Sequence, residues 1–263
     1  MSNPIDEKFK ELRELERKAL ITFITAGDPD LDTSYRLVLE MIDKGADIIE
    51  LGVPFSDPIA EGPTIEKASV RALNAGTTTD DVFELAARLK KVTATPILLM
   101  LYINLVYRYG IGDFMRSCRE SGVDGLIIPD IPLEEIEEIK PLAAEYGIRL
   151  INLVAPTTKA ERLAKIAAAS EGFIYCVSSL GVTGVRDTIT TDLGDFYRKI
   201  RSLTSLPLAL GFGLSGRQQI EAIEGDWDGY IVGSAIVNLV AQHGKDSAGK
   251  VGEFIGELKK GLL

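Results

Sequence analysis

Histidine and cysteine are scarce in this chain, and long apolar runs and basic clusters are missing altogether. The 263 residues include a single histidine, His243, near the polar C-terminal end, so no histidine-built metal site is expected. The two cysteines, Cys118 and Cys176, lack metal spacing and are too few for a disulfide framework. Cys176 lies in the apolar run Phe173–Val177 and reads as a small core residue, and a reducing cytoplasm is the expected compartment. The longest apolar run, Pro96 to Ile103, is far short of a membrane span. The opening M-S-N-P-I-D-E-K is polar and acidic, unlike a secretory signal. Net charge is −10, and no Lys/Arg cluster is interleaved with aromatics, so neither a nucleic-acid nor a membrane partner is expected. No Ser/Gly-rich linker or low-complexity tract divides the chain. With 46% hydrophobic residues, one domain over residues 1–263 is expected.

What is present is an alternation, about eight times over, of short apolar runs with amphipathic stretches, the mark of successive βα units. The expected strands are Leu20–Thr25, Asp47–Leu51, Pro96–Leu101, Gly125–Ile128, Arg149–Val154, Phe173–Val177, Leu206–Leu210 and Gly229–Val232. Each is continuous rather than alternating in polarity, as strands covered on both faces should be. Helical patterns cover Thr33–Lys44, Thr79–Lys91, Glu134–Glu145, Lys159–Ala169 and Asp192–Leu203, with Asp80 and Ser215 as expected caps. Eight such units predict an α/β fold, a closed (βα)8 TIM barrel. The alternative, an open doubly wound sheet, would be favoured by a G-x-G-x-x-G turn after the first strand, where this chain has A-G-D-P-D. The segment Pro4–Lys18 carries Ile5, Phe9, Leu12 and Leu15 at helical spacing and is expected as an extra N-terminal helix closing the barrel bottom.

Chemistry concentrates at Asp47 to Thr64, where an apolar strand ends in a carboxylate, Glu50. An irregular loop follows, stiffened by Pro54, Pro58 and Pro63 and carrying Asp57 and Glu61. Barrels of this class display catalytic groups at the carboxyl ends of strands. Partial burial there would raise the Glu50 pKa and suit it to proton transfer near neutrality. Glu50 also reads as a solvated or capping acid, and either Asp57 or Glu61 fits a second acid or a cap for a helix beginning near Thr64. Glycine turns follow strands six, seven and eight at Gly181–Gly184, Gly211–Gly213 and Gly233-Ser234, and Ser234 opens a helical stretch, Ala235 to Ala241. None of these turns holds Lys or Arg, so an anion there would be held by backbone amides and a helix end. Each turn taken singly is equally an ordinary turn. Tyr175 and Phe212 adjoin these turns and fit either the core or a surface for stacking a flat apolar ligand.

The run Glu50 to Ile65, E-L-G-V-P-F-S-D-P-I-A-E-G-P-T-I, with L-G-V-T-G (Leu180–Gly184), G-F-G (Gly211–Gly213) and V-G-S-A-I-V (Val232–Val237), closely resembles the tryptophan synthase alpha chain family. F-I-T-A-G-D-P (Phe23–Pro29), Y-I-N-L-V (Tyr102–Val106), P-D-I-P (Pro129–Pro132) and A-P-T-T (Ala155–Thr158) extend the resemblance over nearly the whole chain. The resemblance implies retro-aldol cleavage of indole-3-glycerol phosphate to indole and glyceraldehyde 3-phosphate, with no cofactor in this chain. It implies Glu50 as general acid/base, Glu61 as the acid facing the indole N–H, and Tyr175 grouped with them as catalytic. Glu61 stands where the family usually has Asp, one methylene shorter. Phe23, Ile65, Met100, Ile127, Tyr175 and Phe212 would line the indole slot, and Thr183 would act in a closing loop. Gly184, Gly213, Gly233 and Ser234 would hold phosphate. The resemblance also implies a pyridoxal-phosphate-dependent beta chain as partner in an alpha2beta2 assembly, docked on Pro54–Pro58, Asn104 and Asp130–Pro132. A free-standing lyase, a phosphate-binding regulatory barrel and a phosphosugar isomerase are the competing readings.

Overall fold

Each βα unit buries its strand between an inner and an outer apolar layer, and eight units in succession close on themselves. The computed structural model describes residues 3–177, 192–211, 213 and 216–262. Its strands are β1 (Ala19–Thr25), β2 (Ile48–Gly52), β3 (Ile97–Met100), β4 (Gly125–Ile127), β5 (Arg149–Val154), β6 (Ile174–Val177), β7 (Leu208–Gly211) and β8 (Gly229–Val232). All pair in parallel with their neighbours, and β1 pairs with β8 through Leu20 opposite Tyr230 and Ile21 opposite Ile231, closing the barrel. The open-sheet alternative is excluded.

The helices are α1 (Pro4–Glu14), α2 (Leu31–Asp43), α3 (Pro63–Asn74), α4 (Thr79–Lys90), α5 (Ile103–Tyr109), α6 (Ile111–Ser121), α7 (Lys140–Tyr146), α8 (Ala160–Ala169), α9 (Leu193–Arg201), α10 (Arg217–Ala222), α11 (Ser234–His243) and α12 (Ser247–Lys259). Several differ from expectation. The stretch Glu134–Glu145 is not one helix: a 3-10 turn at Ile136–Glu138 precedes α7, because Pro141 has no N–H to give and fits only a helix's first turn. The cap of α4 is Thr78, not Asp80; Thr78 forms a reciprocal capping box with Asp81. Helix α2 starts two residues before Thr33, where the Asp30 side chain accepts the Thr33 N–H at 2.7 Å. Helix α10 has Gly216 as its cap residue, and Ser215 lies outside the described residues. Strands β3 and β7 begin at Ile97 and Leu208 rather than Pro96 and Leu206, since Pro96 and Pro207 cannot donate to a ladder.

Helix α1 ends at Glu14, short of Lys18. Leu15 is its exposed cap, and a left-handed Glu16 turns the chain toward β1. Ile5, Phe9 and Leu12 seal the barrel floor in one cluster with Ile21, Ile48 and Phe173. The floor is also stitched by a repeated clip. Asp47, Asp124 and Asp228 each precede a strand, and each exchanges two hydrogen bonds with the first or second residue of the preceding strand. At Asp124, the backbone N–H donates to the Ile97 carbonyl at 2.8 Å and the carboxylate accepts the Ile97 N–H at 2.9 Å. Asp47 does the same with Leu20, and Asp228 with Leu208. A cation completes each clip: Lys259, Lys90 and Arg201 respectively. Asp124→Ala would strand the Ile97 N–H and remove the anionic partner of Lys90, leaving it only the Thr95 carbonyl among the described residues. A loss of about 3 kcal/mol is expected at neutral pH, read from urea unfolding; a loss under about 0.5 kcal/mol would show that the clip carries no weight.

Candidate active site

Side chains along a strand alternate between its faces. Ile48 belongs to the barrel interior, so Glu50, two residues on, points inward as well. Its ladder partners are Phe23 of β1 and Leu98 of β3. Glu50 is not the end of its strand but the middle residue of β2, and it is completely buried rather than partly; neither carboxyl oxygen has a hydrogen-bond partner among the described residues. A carboxylate cannot stay charged cheaply in such surroundings. Burial pushes the Glu50 pKa from the usual 4.5 to about 8, so the group holds its proton at neutrality.

Two glycines make room around it. A Cβ on Gly52 would stand 2.6 Å from the Phe23 ring, and one on Gly211 would stand 2.5 Å from Tyr175 Cε1. Phe23 and Tyr175 therefore lie across bare backbone at the ends of β2 and β7. The Tyr175 phenol is pushed far up by burial and by the nearby Glu50, so it stays a neutral donor. Phe23, Ile65 and Met100 join Val237 in one apolar cluster. Ile127 sits deeper, in the sealed interior with Tyr175.

The loop after β2 separates its two acids. Asp57 is exposed and accepts a hydrogen bond from the Ser56 hydroxyl. Glu61, directly before Gly62 and α3, is half-buried, and burial raises its pKa to about 7. Beside this loop a cavity of about 630 Å³ opens, lined by Ala60, Met100, Ile151, Leu153, Tyr175 and Val177 and running beneath Pro129–Pro132. Glu50, Phe23, Ile65 and Ile127 are not part of its lining. Leu153 and Val177 are lining residues that the motifs overlooked; the two-residue strand period from Ile151 and Tyr175 points to both.

At the end of β8, Gly233 caps α11 and offers no side chain to the helix's first amides; Ser234 is buried as the first helical residue. Gly213 follows β7. Thr183, Gly184 and Phe212 lie outside the described residues. Among the described residues no cluster of three or more His, Cys, Asp or Glu is arranged to hold a metal ion, and no helix is long and apolar enough to cross a membrane.

Fold and site together define a closed (βα)8 barrel with a fully buried carboxyl, Glu50, pointing into its interior. A family model described as "Tryptophan synthase alpha chain" matches residues 9–261. Tryptophan synthase alpha chains of Alkaliphilus metalliredigens and Caldanaerobacter subterraneus are 46% and 50% identical, covering 98% and 91% of this chain and 97% and 91% of their own. Among solved structures, Mycobacterium tuberculosis tryptophan synthase superposes with a TM-score of 0.91 at 33% identity, covering 100% of this chain and 99% of that one. A tryptophan synthase complex from Pyrococcus furiosus gives 0.84 at 35% identity, covering 92% and 98%. The chain belongs to the tryptophan synthase alpha chain family, carbon–carbon lyases that cleave indole-3-glycerol phosphate.

Proposed function

We infer that Glu50 carries the proton transfers of this cleavage. The neutral carboxyl gives its proton to indole C3, which turns tetrahedral and leaves positive charge on the ring nitrogen. The resulting Glu50 carboxylate takes the proton from the hydroxyl on the glycerol carbon bonded to C3. That carbon becomes the aldehyde carbon of glyceraldehyde 3-phosphate, the C3–C bond breaks, and its electron pair restores the indole ring. Glu50 ends protonated, ready for another turnover. Glu61, ionised, accepts the indole N–H and balances the charge that develops there. Tyr175, held neutral beside Glu50, closes the reacting side of the slot. Phe23, Ile65, Met100 and Ile127 shape the apolar wall, joined by Phe212. Phosphate is held by Gly213, Gly233 and Ser234, and the resemblance adds Gly184 to this set and Thr183 to the substrate contacts. The chemistry is proton transfer throughout and calls for no cofactor in this chain; pyridoxal phosphate belongs to the beta chain. On this reading residues 1–263 act as one cytoplasmic barrel domain and dock a beta chain through Pro54–Pro58, Asn104 and Asp130–Pro132 in an alpha2beta2 assembly.

The observation that carries this reading is the fully buried, unpartnered Glu50 carboxyl, protonated at neutrality. Its protonated form is the active one, so activity falls as pH rises through about 8. Glu61 acts as its anion, so activity falls as pH drops through about 7. Tyr175 faces Glu50, and Tyr102 faces Glu61; both phenols are pushed upward and stay neutral across this window. Indole release with a beta chain present is expected to trace a narrow bell in kcat/KM between those limbs. A rate that is level from pH 5 to 9 would remove Glu50 and Glu61 from these roles.

A further inference from the structure

Glu61 sits on a loop whose tip anchors little of itself, since Ile59 is 75% exposed. Tyr102, two residues past the end of β3, holds that loop at two points. Its ring stacks on Phe55 with centroids 5.1 Å apart, and its phenolic oxygen accepts the Ala60 N–H at 3.0 Å. Ala60 is the residue immediately before Glu61. Tyr102 is itself firmly seated. It is buried to 2% exposure, and as the cap residue of α5 it makes no side-chain cap bond. Asp130 supplies that bond instead, its Oδ1 accepting the Ile103 N–H at 3.0 Å. Burial and the Glu61 and Asp130 carboxylates push the phenol to about 12, so the hydroxyl stays intact.

We propose that Tyr102 is a positioning residue for Glu61, its hydroxyl fixing the Ala60 peptide and thereby the reach of the adjoining carboxylate toward the indole nitrogen. The proposal rests on the reading that Glu61 meets that nitrogen. The longer arm of Glu makes the point sharp, because an acid with an extra rotatable bond needs its backbone set more firmly than Asp would. A displacement near 1 Å at a charge-stabilising group costs up to about a hundredfold in rate.

The test is a double-mutant cycle on the full chain, assayed for indole release with a tryptophan synthase beta chain present. Tyr102→Phe keeps the ring on Phe55 and removes only the hydroxyl. It is expected to lower kcat by about tenfold to a hundredfold with little change in KM and an unchanged melting temperature. In a Glu61→Gln background the same substitution is expected to change kcat less than about twofold, because the group it positions is gone. Tyr102→Leu, which also loses the stacking, is expected to exceed Tyr102→Phe only while Glu61 is intact. Costs that multiply in the double variant, or a Tyr102→Phe chain at the wild-type rate, would overturn the positioning role while leaving the lyase reading untouched. A Glu61→Gln chain at the wild-type rate would instead remove the reading of Glu61 on which the proposal stands.

Discussion

Replacing Glu50 by Gln is expected to cut indole release by about 10³-fold at pH 7.5, since general acid–base groups contribute roughly 10²–10⁴. Gln keeps the shape but can neither give a proton to C3 nor take one from the hydroxyl. The same substitution should make the protein more stable, and the sign follows from burial. The native state holds the Glu50 proton up to about pH 8, whereas the unfolded chain releases it near 4.5. Between those values the native state binds more protons than the unfolded one, so Glu50's contribution to stability is fully present below about 4.5 and is lost as pH rises through about 8. The difference amounts to a few kcal/mol, because each tenfold change in proton affinity is worth about 1.4 kcal/mol. Glu50→Gln should therefore melt higher than wild type at pH 9, with the gap shrinking toward pH 5. An active Glu50→Gln chain would move the acid elsewhere. An inactive chain whose stability advantage does not grow with pH would mean that Glu50 ionises freely in the folded barrel.

Gly211→Ala is expected to cost about a hundredfold in kcat/KM with the barrel intact. The new methyl would stand 2.5 Å from Tyr175 Cε1 and 2.9 Å from its hydroxyl oxygen, so the ring must move. It cannot move freely, because Tyr175 is buried and opposed by Ala209 and Leu153 in the ladders on either side. The ring must shift beside Glu50, and on the proposed role of Tyr175 a shift near 1 Å suffices for a loss of that size. Far-ultraviolet circular dichroism should be unchanged, and the wild-type spectrum with wild-type kinetics would show that Tyr175 yields without consequence. Gly52→Ala offers the parallel case through Phe23, whose ring would lie 2.6 Å from the added carbon.

Much of this site could be read along the chain because its signals are local. Apolar runs covered on both faces, repeated eight times, predicted the strands, and Arg149–Val154 and Gly229–Val232 coincide with β5 and β8. Three of the boundaries that slipped have a proline as cause: Pro96, Pro141 and Pro207 withhold an N–H that the simple apolar pattern assumed. Helices α5, α6 and α12 went unnamed; α5 is only 7 residues long, too short for its period to stand out from the apolar run before it. Asp57 and Glu61 look equivalent in sequence, four residues apart on one proline-stiffened loop. Only packing leaves one exposed and the other half-buried. Tyr102, an aromatic after a strand, carries no signal of its own, because its significance lies in Phe55 and Ala60 across the fold.

The linear order of residues thus settled the βα repeat, the acid within the second apolar run, the glycines at later strand ends and membership of the lyase family. Closure of β8 onto β1, the complete burial that holds the Glu50 proton, and the grip of Tyr102 on the Glu61 loop were decided only in three dimensions. The reason is physical: strand period, capping and turn chemistry act over a few neighbouring residues. Desolvation of a carboxyl is different, because it sums over segments such as β1, β2, β3 and β6 that are far apart in the chain and meet only when the barrel closes.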